Sequence, residues 1–282
     1  MIKSRNNIVS KNLETNDLKE TFLSIQISLD GFSFSVYDSI AKDFLAFYEF
    51  SFDLESSSPE KILMPIKAIF EENEILQHNH FKKVFVNYAN TLSTLVPKVF
   101  FDSNKKNLYL ENTVKIFPSD FISHDELSTM DAVLVYIPFI NVNNFLFSKF
   151  GSFEYQHASS LLIDSLLNSK TFPKNKEAVT VNVYSSHFEA IVWNGKELIF
   201  YNSFSFKTAD DFIYYLLFIY EQLGLDTDTV QTYCMGEIEK ESALFKIAYQ
   251  YIRHVSFLHF NELSSDFKSL GTHSHITLLH QF

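Results

Sequence analysis

Glycine is scarce in this chain, six residues in 282. Loops that cradle phosphates are built from glycine, because only a residue without Cβ lets backbone N–H groups close around an anion. No glycine-rich phosphate loop can be read in the sequence. Cysteine is represented by Cys234 alone, which excludes an internal disulfide and fits a reducing cytoplasm. Basic side chains are outnumbered, 23 Lys and Arg against 34 Asp and Glu, leaving a net charge of −11. That balance argues against nucleic acid or an anionic membrane as partner, since both need clustered Lys and Arg. No apolar run approaches the roughly 20 residues of a membrane span. The polar residues 1–19 lack the apolar stretch of a signal peptide.

Phenylalanine, in contrast, is abundant at 31 residues, and 46% of the chain is hydrophobic. These values predict a globular chain whose core is built around aromatic rings, long enough for one large or two medium domains.

The strongest pattern is an internal repeat. Ala178–Tyr184, Phe188–Trp193 and Leu198–Ser205 read as three short strands, followed by a helix over Ala209–Leu223. The same order runs from Thr21 to Leu76. Shifted forward by 154 without a gap, Ile25, Ile27 and Leu29 fall on Val179, Val181 and Val183, and Phe34 falls on Phe188. Phe44–Phe47 then falls on Leu198–Tyr201, and Phe50-Ser51-Phe52 on Phe204-Ser205-Phe206. A helix start follows in both copies, Ser58 with Pro59 in the first and Thr208 with Asp211 in the second.

Residues 1–19 predict a disordered arm, 20–170 a first lobe, 171–262 a second lobe and 263–282 a tail. In the first lobe Lys83–Ala89 is a further strand, and its lack of alternation suits an interior position covered on both faces. A strand reached through a crossover helix pairs parallel to an earlier one, so each lobe is α/β. Asn107–Phe117 reads as one or two strands, Ala132–Phe139 as a buried strand, Val142–Phe150 and Gln156–Leu167 as helices. Thr171–Glu177 reads as the linker. The helix Asp211–Tyr220 is apolar almost all round, which predicts cover on every side. Thr229–Met235 matches the fourth strand of the first lobe.

Two copies of a three-strand meander, helix, strand, helix and strand resemble the duplicated ribonuclease-H-like lobes of actin, the heat-shock chaperone ATPases and the sugar kinases. More closely, the chain resembles a bacterial family of unknown function with this actin-like ATPase fold. The residues carrying the likeness are Ser24–Phe32, the Asn182–Trp193 hairpin with Phe200-Tyr201-Asn202, and Val133–Pro138, within residues 20–262. The resemblance implies two mixed sheets, each with a meander and crossover helices. It also implies three nucleotide elements: a glycine-containing hairpin with a metal-organising aspartate in lobe one, a second hairpin in lobe two, and a double-glycine turn for the adenosine.

Measured against those elements, Asp30-Gly31 is shorter by a residue and followed by bulky Phe32. Ser185-Ser186-His187 has neither Asp nor Gly. Tyr233–Glu237 offers Gly236 alone, with Glu237 placed to repel a phosphate. The expectation is a fold without nucleotide turnover, a non-catalytic scaffold or adaptor that binds an unknown protein partner as a monomer or homodimer in the cytoplasm, with no catalytic residues, metal or cofactor. The alternative is a divergent ATPase binding ATP with Mg through Asp30, Gly31, Ser185, Ser186 and Gly236. Other candidates have bland readings. His273-x-His275 would share a strand face, but solvent-exposed histidines in a tail fit the composition better. Cys234 has no assignable base. Phe145, Phe147, Phe150, Phe153 and Tyr155 make either a core or a partner-binding patch.

Overall fold

The computed structural model describes residues 1–15, 17–53, 58–78, 80–170, 172, 176–260 and 263–279. It divides into two compact units. One comprises Met1–Leu162, Leu263–Ser269 and Thr277–Phe282; the other comprises Ile163–Glu262 and Leu270–Ile276.

The first unit holds strands β1 (Ile2–Val9), β2 (Thr21–Ile27), β3 (Gly31–Asp38) and β4 (Asp43–Phe52), then helices α1 (Pro59–Glu72) and α2 (Glu74–Gln77). Next come β5 (Lys83–Tyr88), β6 (Ser93–Pro97), α3 (Lys106–Leu110), β7 (Ser123–Glu126), β8 (Ala132–Tyr136), α4 (Ile140–Phe150) and β9 (Glu154–His157). Its main sheet has the order β1-β4-β3-β2-β5-β9, with β5 and β9 parallel to β2. Leu23, Ile25, Ile27, Phe32, Phe34 and Val36 alternate onto one face and meet Ile62, Ile66, Ile69 and Phe70 of α1. At about 25 cal/mol per Å² of apolar surface, burial of these side chains dominates the unit's stability.

Three differences from the sequence expectation have physical causes. Residues 1–19, expected as a disordered arm, contain β1, which pairs antiparallel with β4 from Ile2↔Phe52 to Val9↔Ala46. An edge strand with one exposed face needs little apolar content, so composition hides it. The strand that follows β5 in the sheet is the short β9, whereas Ala132–Tyr136 belongs to a separate antiparallel sheet, β6-β8-β7. The segment expected as strands at Asn107–Phe117 contains α3, whose Leu110 joins Val133 and Val135 in a satellite core.

Helix α5 (Ala158–Asn168) leads into the second unit: β10 (Glu177–Val183), β11 (His187–Asn194), β12 (Glu197–Ser205), α6 (Ala209–Leu223), β13 (Gln231–Gly236), α7 (Ala243–Tyr251) and β14 (Val255–Phe257). A last helical turn, α8 (Ile276–Leu279), follows. The predicted linker Thr171–Glu177 lies largely outside the described residues, and the division between units falls inside α5. The sheet order is β12-β11-β10-β13-β14, with β13 and β14 parallel to β10. Val179, Val181, Val183, Phe188, Ala190 and Val192 face Phe212, Leu216 and Ile219 of α6. The predicted cap is present: Thr208 and Asp211 close a reciprocal capping box on α6. Cover on every side of that helix is not found, since Tyr214 and Phe218 are exposed.

The repeat is real in topology but not gapless. The pairs closing the first hairpin are Ile27 with Phe32 in one unit and Val183 with Phe188 in the other. Strands one and two therefore correspond at a shift of 156, which places Ile27 on Val183. The third strand keeps 154, because Phe50 pairs with Phe32 and Phe204 with Phe188. The loop before it is two residues shorter in the second unit. A strand's side chains alternate with period two, so a two-residue misregister leaves each one on its correct face and is invisible to pattern matching. Both copies carry a bulge at the same place, after Val36 and after Val192.

Candidate functional site

The three loops that could meet a nucleotide are each held by internal bonds. At the first, Ser28 N–H donates to the Gly31 carbonyl at 3.0 Å and the Ser28 hydroxyl donates to the Asp30 carboxylate at 2.5 Å. Gly31 sits opposite Ser51 in the sheet, and a Cβ there would stand 3.0 Å from the Phe50 carbonyl oxygen. At the second, Tyr184 N–H donates to the His187 carbonyl and Phe206 N–H to the Ser186 carbonyl. The rings of Tyr184 and His187 stack with centroids 4.5 Å apart, leaving Ser185 and Ser186 exposed at the tip.

The third loop is the most constrained. Gly236 has φ +86°, and a Cβ on it would lie 2.2 Å from the Val183 carbonyl oxygen and 2.7 Å from Asn182 Oδ1. The glycine is needed by the close parallel pairing of β13 with β10, where Gly236 is opposite Val183. Its N–H donates to the His273 carbonyl at 2.8 Å, and Glu237 N–H donates to the Val183 carbonyl at 2.7 Å. Gly236 and the strand entering Ser185-Ser186 are thus neighbours in the second unit, whereas Asp30 and Gly31 belong to the first.

The remaining candidates separate clearly. Cys234 is fully buried, and burial pushes its thiol up to about 12, so it has little thiolate character. The segment holding His273 and His275 is not a strand. His273 Nε2 instead bonds the Ile238 carbonyl at 3.0 Å, and its ring packs on Phe257. Among the described residues no group of three or more His, Cys, Asp or Glu is placed to hold a metal; His280 lies outside them. Phe145 and Phe150 meet Phe70, and Tyr155 meets Tyr88, so this cluster is mainly core, although Phe147 is exposed.

Three polar features escape the sequence reading. In the first unit Asp125 accepts from His157 N–H at 2.7 Å, the Ser160 hydroxyl at 2.8 Å and the Tyr136 hydroxyl at 3.0 Å. Burial raises its pKa, and those three donors oppose the rise. The carboxylate fills the start of α5 as a cap supplied from elsewhere in the chain. In the second unit Glu189 is almost wholly buried and accepts from Asn182 Nδ2 at 3.1 Å and from the hydroxyls of Tyr184 and Tyr201, each at 3.3 Å.

The third feature is a polar row on the face of the first sheet opposite its apolar core. Register aligns Asn6, Glu49, Ser33, Gln26, Asn87 and Gln156, one residue from each strand. Asn6 donates to Glu49 at 2.5 Å and Gln156 to Asn87 at 3.3 Å. Over this row lies the chain's own tail. Asn87 Nδ2 donates to the Thr277 carbonyl at 3.1 Å, and the Ser35 hydroxyl donates to the Leu278 carbonyl at 3.2 Å. The Thr277 hydroxyl bonds Gln26. Alternation does expose this row in principle, but its partner is some 190 residues away along the chain.

A family described as "Protein of unknown function (DUF3822)" matches residues 10–255. Among solved structures, a Bacteroides thetaiotaomicron protein with an actin-like ATPase fold and unknown function is similar over 84% of this chain and 90% of its own, at 22% identity and a TM-score of 0.76. The PilM–PilN type IV pilus biogenesis complex contains a chain similar over 91% of this one and 96% of its own, at 11% identity and a TM-score of 0.54. No curated protein matches the sequence significantly. These likenesses establish the actin-like, ribonuclease-H-like fold of the two units.

Proposed function

The chain belongs to this family of unknown function, and on that premise we propose that it is a non-catalytic protein-interaction module of actin-like fold. The observation that carries the reading is the state of Gly236. Its N–H is taken by the His273 carbonyl, and its missing Cβ makes room for Val183 rather than for a ligand. The Asp30 carboxylate, where a metal would be organised, accepts from the Ser28 hydroxyl. Groups that would meet phosphate or adenosine in an ATPase thus have structural roles. The fold is compatible with partner binding, as the PilM–PilN complex illustrates for that neighbour. A single buried cysteine suits a reducing compartment, and the place we propose is the cytoplasm. Its unit of action is a monomer or homodimer.

Thermal unfolding with and without millimolar Mg-ATP, Mg-ADP and Mg-GTP tests this. A ligand at 100-fold over its Kd stabilises a fold by about 2.7 kcal/mol, a visible shift. We expect none. A shift that disappears in Asp30→Ala would replace this reading with a divergent ATPase using Asp30, Gly31, Ser185, Ser186 and Gly236.

A further inference from the structure

The two main sheets end differently at the equivalent strand. In the first unit β4 is not the edge, because β1 runs antiparallel beside it from Ile2↔Phe52 to Val9↔Ala46. In the second unit its counterpart β12 ends the sheet, with β11 on one side and, among the described residues, no strand on the other. An open edge presents a row of main-chain donors and acceptors, which proteins commonly blunt with Lys, Pro, a bulge or a very short strand. β12 is nine residues long, Glu197–Ser205, and contains neither Lys nor Pro. Its one bulge lies near the start, so Phe200–Ser205 pairs regularly with β11. Phe206 N–H points inward, donating to the Ser186 carbonyl just before β11. By alternation Ser203 and Ser205 turn their main-chain groups outward. The Ser203 N–H is accepted by the Asn202 side chain at 2.9 Å, a local contact standing where a strand would be. The apolar surface continues beside this edge. Tyr215 of α6 stacks on Phe204 with centroids 5.1 Å apart, Tyr214 meets Tyr215 at 5.3 Å, and Tyr214, Phe218 and Ile199 are exposed.

We propose that β12 is the subunit interface of a homodimer, its edge pairing antiparallel with the same edge of a second copy about a two-fold axis at Asn202. The sequence is self-complementary about that point. Such an axis sets Phe200 opposite Phe204 of the second copy. Beyond the regular stretch it brings Leu198 to Phe206 and Glu197 to Lys207, and symmetry makes each contact twice. Aromatic rings and opposite charges are favourable cross-strand pairs. An axis on a residue, rather than between two, also sets odd-numbered residues opposite odd, which is where Ser203 and Ser205 direct their main-chain groups. Moving the axis to Tyr201 or Ser203 keeps that match but sets Glu197 opposite Ser205 or Ala209. The charge pair therefore selects Asn202. Antiparallel pairing places both α6 helices on one face of the joined sheet, each with its Tyr214–Tyr215 flank toward the seam. What β1 gives β4 within the chain, a second copy gives β12, in the same antiparallel sense. The interface does not rest on the interaction-module reading, since an edge pairs whether or not a nucleotide binds.

The test follows the full chain by analytical sedimentation across a range of concentrations. The wild type should be a reversible dimer. Ser203→Pro removes an outward N–H at an edge position, where proline is tolerated, and should leave a folded monomer. Lys207→Glu should weaken the dimer about tenfold, because the like-charge contact it creates arises twice. Adding Glu197→Lys should return the affinity to near the wild-type value. Asn202→Cys should give a disulfide-linked dimer on oxidation, since facing residues of a non-hydrogen-bonded pair lie within disulfide reach. Ser205→Cys, away from the axis, should not, and Cys234 is buried and does not compete. A wild type that stays monomeric at every concentration overturns the proposal. So does a dimer that withstands both Ser203→Pro and Lys207→Glu, because its interface would lie elsewhere. Should Ser203→Pro not fold, the charge reversals decide, since Glu197 and Lys207 are exposed. A nucleotide shift in the thermal test would sink the scaffold reading and leave the association unchanged, whereas a monomer without nucleotide response sinks the interface alone.

Discussion

In the first sheet the residue opposite Gln26 on the parallel neighbour is Asn87; in the second, the residue opposite Asn182 is Met235. That one exchange captures how the two units diverge. Apart from the edge strand β1 that only the first has, both share the strand order, the bulge and the apolar face packed by a helix. On the other face the first unit runs a polar row across six strands. The second breaks its row at Met235, and further along its strands Trp193 and Tyr233 each meet the ring of Phe172. The one acid of that second row, Glu189, is enclosed by an amide and two phenols. The lesson is that the two units share the face that makes the fold and differ on the face that does not.

The comparison can be broken most decisively at its shared part. Phe32→Ala and Phe188→Ala occupy equivalent buried sites, and each should cost about 3–5 kcal/mol in chemical denaturation. Costs differing by much more than about 1 kcal/mol would show that the apolar faces are not equivalent. The glycines come next. Gly236→Ala forces a left-handed φ and a backbone clash, and should cost about 3 kcal/mol. Gly31→Ala, with ordinary φ and a contact at 3.0 Å, should cost about 1 kcal/mol. Reversal of that order would mean that Gly31, not Gly236, is the constrained turn.

The unlike faces give smaller effects. Asn87→Leu removes the donor to the tail and should cost about 1–3 kcal/mol. Met235→Leu, at the equivalent position, conserves volume and should cost less than about 1.5 kcal/mol. Equal penalties would erase the distinction between the faces.

The smallest effect concerns pH. Burial holds the His273 ring below its ordinary range, with His259 adding to it and Glu239 and the Ile238 carbonyl opposing. Between the folded and unfolded values the unfolded chain binds more protons, so stability there rises with pH. Melting points should therefore fall as pH drops below about 6.5, by less in His273→Gln. An unchanged slope in that variant would place the effect elsewhere.

Much of this was legible because burial writes a period into sequence. Ile25, Ile27, Val179 and Val181 alternate, α6 has its Thr208 cap, and the two copies announce each other. The two-residue slip in matching them was unavoidable, since 154 and 156 give the same faces. β1 and β9 were missed because a polar edge strand and a four-residue strand leave almost no pattern. The turn at Ser185-Ser186 does join two strands, but why Gly236 is glycine could be known only once Val183 lay beside it.

Alternation, caps and repeat order are local, and they were enough to specify two α/β lobes with the same order of elements. Tertiary structure alone decided what each polar residue does. Asp125 caps a helix, Glu189 sits among phenols, and Asn87 holds a tail nearly two hundred residues away. A hydrogen bond depends on which groups the fold brings to about 3 Å, and no local spacing records that.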